Sequence, residues 1–394
     1  MSKLKKILLI GRTIESILND IPSNFSIVHI TRKEDLKYGL GVFERPEKTL
    51  LMDYENLEEL TSFCMKLHEL ELFDAVYAFS EEGLVPAATI SKALNILGPD
   101  LESVKNTTNK LKMRSIIDKF PEINVGYQKV FSLDSISSFL KLYKEIILKP
   151  IDGFGSQGVI KISNEKDIEK AFNYCISYAE EMMMEEFVAG KQISVETFSN
   201  QGEHQILAIT EKTMCDPPYC VSLSQLIPAK ISSIEKQKII RGTYNLLNAV
   251  NHKFGPAHVE MCIGHKEVKV IEIQLRPGGR IHDMLKYGLG YNIFSLTLNS
   301  LFGDSNKKIS APGSCCLFYI TASPGIVSKI EGFDKVKSHP SVKSISLNVE
   351  IGDKVNPLTN NKGRIGHLIC VGKDSESTYS IGKELLNEIQ IITI

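Results

Sequence analysis

Two stretches of the chain concentrate side chains that can do chemistry. In the first, IILKPIDGFGSQGVIKIS, residues Gly153, Gly155 and Gly158 satisfy the pattern G-x-G-x-x-G. A dinucleotide site needs a helix after those glycines, whereas Val159 to Ile162 reads as a second strand. The glycines are therefore expected at the tip of a hairpin. Lacking side chains, they let backbone N–H groups come close to an anion, and Ser156 adds a hydroxyl donor, so the loop suits a flap laid over phosphate groups. An ordinary mobile turn is the plainer alternative. Lys149, at the end of the strand entering the flap, would aim a cation at the same phosphates, although a lysine there is ordinarily solvated.

The second stretch pairs HVEMCI with VKVIEIQLRPGGR. A turn centred on Lys266 sets Glu260 directly opposite Glu272. Opposed like charges destabilise a sheet. A divalent cation with carboxylate ligands is the expected remedy. Period-two alternation adds Gln274 and Arg276 to the face of Glu272 and sends Ile271, Ile273 and Leu275 toward a core. A solvated polar hairpin face is the alternative, and a one-residue shift of the turn would undo the pairing. A flap, a lysine, paired carboxylates and an arginine are the parts of phosphoryl transfer, where positioning and charge neutralisation supply most of the rate. No GxxxxGK[ST] and no HRD or DFG set is present, which excludes P-loop and protein-kinase readings.

Four further residues are candidates for touching a substrate. His258 shares the carboxylate face, where a hydrogen-bonded structural histidine is the alternative. Arg280, beyond Gly278-Gly279, can pair with a substrate carboxylate or lie on the surface. Glu82, with Glu81 beside it, follows the DAVYAF strand, where α/β sheets place ligands, and suits an incoming amine. Tyr219, in MCDPPYCVSLSQ, suggests a moderately apolar pocket wall.

The elements that must hold these residues can be read from periodicity. Residues 1–100 alternate buried strands (KILLI, DAVYAF) with helical spacing over 56–70 and 83–97, an α/β unit closed by Gly98-Pro99. Asn109 to Phe120 reads as a short helix ended by Pro121. A central α+β region, 101–309, includes a flap subdomain at about 121–185 with a helix over 164–180. Hairpins follow over 191–213, turning at Asn200-Gln201-Gly202, and over 256–275. Short strands at Cys315 to Ala322, Ile345 to Ile351 and Gly366 to Val371 suggest a smaller C-terminal domain, 310–394. With 394 residues, 43% apolar and 24% charged, two or three domains can each bury a core. The net charge of −1, without charge blocks, argues against nucleic acid or a membrane surface as partner. No apolar run approaches a membrane span, and the start, MSKLKKILLIGR, reads as a strand rather than a leader. Eight scattered cysteines without zinc spacing are expected as free thiols of a reducing cytoplasm.

Taken together, Lys110, the LKP flap, MMMEEFVAGKQISVE, VEMCI and IEIQLRPGGRIHD closely resemble the ATP-grasp superfamily over residues 1–310. The segments GIVSKIEG and VEIGDKV extend the resemblance to the C-terminal domain of dipeptide-forming L-amino-acid ligases. The resemblance implies an ATP-grasp fold of α/β class, with an N-terminal Rossmann-like domain, an α+β centre and a small C-terminal domain. It implies ATP and Mg²⁺, with Mn²⁺ as a substitute, and small-molecule carboxylate and amine substrates. An amide forms through an acyl phosphate, releasing ADP and phosphate. By resemblance, Lys110 and Lys149 contact ATP phosphates, and Glu185, Glu186, Phe187 and Val188 form the strand that holds adenine. Glu260, Glu272 and Gln274 hold the metal, and Arg276 stabilises the transferring phosphoryl group or tetrahedral intermediate. Three positions depart from the family pattern: Asn109 replaces Asp before the lysine, Gln192 replaces the acid at the ribose, and Gln274 replaces the Asn of ExNxR. A homodimer stays open. Other readings are acyl transfer to a carrier-protein thiol or a non-amino-acid amine, carboxylation of the biotin-carboxylase kind, and a nucleotide-binding regulatory protein without turnover.

Overall fold

A computed structural model describes residues 4–38, 43–265, 267–304 and 310–394. The chain opens with four parallel strands, β1 (Lys5–Ile10), β2 (Phe25–Thr31), β3 (Lys48–Leu51) and β4 (Ala75–Tyr77), in the order β3-β2-β1-β4. Ile7 to Ile10 are all buried, the continuous apolar run of a strand covered on both faces. Helices Leu57–Leu70 and Glu81–Leu94 match the two stretches of helical spacing, and Leu84, Ala87 and Ala88 are buried. From β1 the sheet grows in opposite directions, to β2 and to β4. Their carboxyl ends form the crevice in which α/β sheets place ligands. Gly11, which ends β1, has φ +106°, and a Cβ there would meet Ser80 Oγ at 2.6 Å and Gly83 Cα at 2.8 Å. The turn thus requires glycine for both conformation and space.

Helices Leu101–Thr108 and Lys110–Ile116 lead into the flap. The second ends four residues before the expected stop at Phe120, and Asn109 caps it by accepting from the Lys112 N–H at 2.9 Å. Asparagine is as good an N-cap as aspartate, so the departure at this position preserves the local structure. The flap is a four-stranded antiparallel sheet of β5 (Tyr127–Lys129), β6 (Ile146–Pro150), β7 (Ile160–Ile162) and β8 (Met182–Glu186), ordered β5-β8-β6-β7. Helices Leu133–Tyr143 and Ile168–Ile176 cover it around a separate core that includes Ile146, Leu148, Ile160, Met182 and Met184.

The central sheet has eight strands. Its first five are β9 (Lys191–Asn200), β10 (Glu203–Met214), β11 (Ser222–Ile227), β12 (Gly255–Ile263) and β13 (Val268–Gln274). The β9–β10 turn falls at the expected place, with φ of +53° at Gln201 and +83° at Gly202. Positive φ at both central residues matches a turn to the twist of the two strands. The remaining strands are β14 (Ser314–Ile320), β15 (Gly325–Glu331), β16 (Val342–Leu347), β17 (Lys354–Val355), β18 (Gly366–Gly372) and β19 (Gln390–Thr393). Strands β14, β18 and β16 extend the central sheet in the order β13-β12-β9-β10-β11-β14-β18-β16, while β17-β15-β19 form a small sheet apart. The segment from 310 onward therefore shares its main sheet with the preceding region. No helix among the described residues is long and apolar enough to cross a membrane, and all eight cysteines are free.

Candidate functional site

The parallel sheet, the flap and the central sheet together line a cavity of about 480 Å³. Its floor is a ruled surface on β9, β12 and β13. One rung aligns Ser194, Glu260 and Glu272; the next aligns Glu196, His258 and Gln274. The expected opposition of Glu260 and Glu272 is present, but it depends on a bulge. From the turn outward, Ile263 pairs with Val268 and Met261 with Val270. The register then slips by one residue, and Glu260 meets Glu272. Lys266, taken as the turn centre, lies outside the described residues. The slip displaces Ile271, which lines the cavity and is only half-buried, whereas Ile273 and Leu275 join the core as expected.

The two glutamates do not depend on a cation alone for neutralisation. Each carboxylate has its own lysine: Lys212 Nζ lies 2.6 Å from Glu260 and Lys110 Nζ 3.1 Å from Glu272. Lys110 also donates to the Gly153 carbonyl at 2.8 Å, tying β13 to the flap through Glu272. His258 is a hydrogen-bonded histidine, with Nδ1 2.7 Å from Glu196 and Nε2 3.1 Å from Glu260. Burial disfavours its charge, yet Glu196 outweighs that and raises its pKa. Burial likewise opposes the charge of Glu260, and Lys212 with His258 prevail, holding its carboxyl well below the usual range.

Among the described residues no cluster of three His, Cys, Asp or Glu side chains could hold a metal ion. The available donor set is two partly exposed carboxylates, Glu260 and Glu272, and the Gln274 amide. An all-oxygen set of this size fits a hard divalent cation whose other ligands are phosphate oxygens and water.

The wall below the flap is built on a buried ion triad. Glu185 accepts from Arg114 Nε at 2.8 Å, from Arg114 Nη2 at 3.0 Å and from Lys149 Nζ at 2.7 Å. Burial raises the Glu185 carboxyl, but the two cations bring it down to about 2. Lys149 is 4% exposed rather than solvated, and its burial lowers its pKa against the pull of Glu185. Beside it, Glu186, Phe187, Val188 and Gln192 line the cavity.

The hairpin over the cavity carries positive φ at Gly153, Gly155, Ser156 and Gly158. A Cβ on Gly153 would meet nothing within 4 Å, and on Gly155 nothing nearer than Asn361 Nδ2 at 3.6 Å. Backbone conformation, not crowding within the chain, accounts for glycine at these two positions. Gly153, Gly155 and Ser156 line the cavity, while Gly158 packs on Pro150 and Tyr178.

At the far end, Arg276 Nε donates to Glu81 Oε2 at 2.9 Å. Burial raises the pKa of Glu81, with Arg276 opposing. Glu81 lines the cavity; Glu82, the residue favoured from sequence, lies outside the lining and pairs with Arg12 at 3.5 Å. Arg280 lines the cavity and pairs with Asp283 at 3.0 Å. Tyr219 also falls outside the lining, its ring packed 5.4 Å from that of Tyr174 at the flap core. Sequence reasoning missed Lys212, Arg114, Tyr319 and Arg364. Counted from the β9–β10 turn, Lys212 falls level with Lys191, and only the bulge between Ile206 and Ala208 moves it level with Gln192. No local signal marks the others.

The chain matches the ATP-grasp domain over residues 142–283 and the L-amino acid ligase C-terminal domain 2 over residues 318–393. It is 22% identical over 343 residues to an L-arginine-specific L-amino acid ligase of Bacillus subtilis, covering 82% of this chain and 81% of that one. It is 23% identical over 306 residues to the alanine–anticapsin ligase of Bacillus subtilis strain 168, covering 70% of this chain and 62% of that enzyme. The crystal structure of an L-amino acid ligase from Bacillus licheniformis superimposes with a TM-score of 0.85, at 22% identity and full coverage of both chains. The carboxylate rungs and the glycine hairpin all lie within residues 142–283, so the chain carries its site on an ATP-grasp domain, followed over residues 318–393 by a C-terminal domain of the L-amino acid ligase type.

Proposed function

We propose that this protein is an ATP-dependent carboxylate–amine ligase that joins two amino acids through an acyl phosphate, releasing ADP and phosphate. The observation that carries this reading is the convergence of Lys110, Lys149, Glu260, Glu272, Gln274 and Arg276 on one cavity beneath a glycine hairpin. Lys110 and Lys149 bind the nucleotide phosphates, and the wall of Glu185 to Val188 receives the base. Glu260, Glu272 and Gln274 would hold Mg²⁺, which when bound offsets phosphate charge. Arg276, aimed by its bond to Glu81, meets the charge that develops as the γ-phosphoryl group passes to the carboxylate. The flap keeps water from the acyl phosphate. In the second step the amine forms the C–N bond, the bond from carbon to phosphate oxygen breaks, and phosphate leaves with the electron pair and the surplus proton. The names of the relatives support amino acids as substrates.

An acyl phosphate is an electrophile that hydroxylamine intercepts. Incubation with ATP, Mg²⁺, hydroxylamine and each of the twenty L-amino acids should yield, for the true acid substrate, hydroxamate and ADP in equal amounts. Arg276→Ala should lower that rate by about 10²–10³-fold, the cost of losing one donor to a developing oxyanion. Release of AMP and pyrophosphate instead would overturn the mechanism.

A further inference from the structure

Every lysine and arginine that lines the cavity, with one exception, has a carboxylate oxygen within 4.0 Å among the described residues. The exception is Arg364, on the C-terminal loop after β17. Its Nε and Nη2 donate to a single carbonyl, that of Ser222, at 3.1 and 2.7 Å, and its guanidinium lies 3.6 Å from the centroid of the Tyr319 ring. A neutral carbonyl and an aromatic face orient a guanidinium without cancelling its charge. Burial disfavours that charge, with only Tyr319, Glu260 and Cys215 opposing through space. Two buried amide oxygens that line the same cavity, Gln225 Oε1 and Asn361 Oδ1, have no hydrogen-bond donor among the described residues. The loop is held firmly: Asn360 caps it at Lys362 N, 2.9 Å, and Gly363 passes so close to Leu358 that a Cβ would lie 2.7 Å from its Cα.

We infer that Arg364 anchors the α-carboxylate of the amino acid that supplies the amine, and is the residue by which the acceptor site favours a free acid over a neutral amine. The inference rests on the ligase reading. In such a reaction the acid substrate's carboxylate is consumed at the phosphoryl end, beside Glu260, Glu272 and Arg276. The acceptor's own carboxylate does not react, enters the cavity charged and requires a cation. Arg280, the arginine that the sequence offered for this role, already has Asp283. Arg364 supplies the unmatched charge, and the two amide oxygens accept from N–H groups of the same substrate.

The test compares the twenty L-amino acids with their twenty carboxamides as acceptors, with ATP, Mg²⁺ and the acid that gives hydroxamate, and reads amide products by mass spectrometry. The wild-type protein should use free acids and disfavour the matching carboxamides by about 10–10²-fold, the loss of a charged hydrogen bond. Arg364→Gln should raise KM for the free acid and shrink that preference to roughly threefold or less, and Arg364→Lys should restore part of it. Carboxamides used as well as free acids by the wild-type protein, a preference surviving in Arg364→Gln, or a wild-type protein that forms hydroxamate with hydroxylamine yet joins none of the twenty amino acids as acceptor would each overturn the anchor. These outcomes leave the ligase reading standing; failure of the wild-type protein to form hydroxamate and ADP with any acid would overturn both.

Discussion

Glu272 and Lys110 are separated by 3.1 Å, and the same lysine holds the flap at Gly153. In Glu272→Gln the amide still accepts a hydrogen bond, but a negative charge facing the proposed cation site is gone. Turnover should fall by about 10²-fold or more, while the melting temperature stays within a few degrees of the parent because the buried Lys110 keeps an amide oxygen and the Gly153 carbonyl as acceptors. ATP consumption at the parental rate in a folded Glu272→Gln protein would remove these carboxylates from the chemistry. At this scale the sequence was informative wherever alternation along one strand decided a question. Glu272 and Gln274 could be put on one face from their spacing alone. It was silent where the partner comes from elsewhere, as with Lys212, Arg114 and Arg364. Between Glu81 and Glu82 the difference is a rotation of about 100° at the first turn of a helix, too fine to read from a strand end.

The hairpins and helices were more readable than any single contact, because each carries its own period and turn residues. Both central hairpins turn where glycine and polar residues interrupt alternation, and the helix capped by Asn109 begins where its cap predicts. The bulge beside Glu260 was hidden, since an extra residue in one strand leaves no mark on apolar spacing. The flap hairpin offers a direct test of an element acting as a unit. In Gly155→Val a β-branched residue must adopt φ near +71°, and its side chain would occupy the space through which the backbone meets phosphate. The apparent requirement for ATP should rise at least about tenfold, and in the parent protein ATP should suppress protease nicking between Ile151 and Val159. Equal nicking with and without nucleotide would count against a phosphate-covering flap.

Across the whole molecule, strand order could not be inferred, because alternation identifies a buried face and not the neighbour that covers it. Thus the C-terminal strands, readable as strands, join the central sheet beside β11. That union brings the loop of Asn360 to Arg364 over the flap, where Asn361 N donates to the Gly155 carbonyl at 3.2 Å and Tyr174 donates to Thr359 O at 3.0 Å. The cavity so enclosed is lined by cations that, Arg364 apart, already face carboxylates. From a distance greater than the Debye length such a site presents little net field. Nucleotide should therefore arrive without electrostatic steering, and must exchange partners with Lys110 and Glu272 after it arrives. Stopped-flow association measured between about 0.02 and 0.5 M salt should show an on-rate that changes by roughly threefold or less, with the rearrangement of ion pairs appearing as a slower, concentration-independent phase.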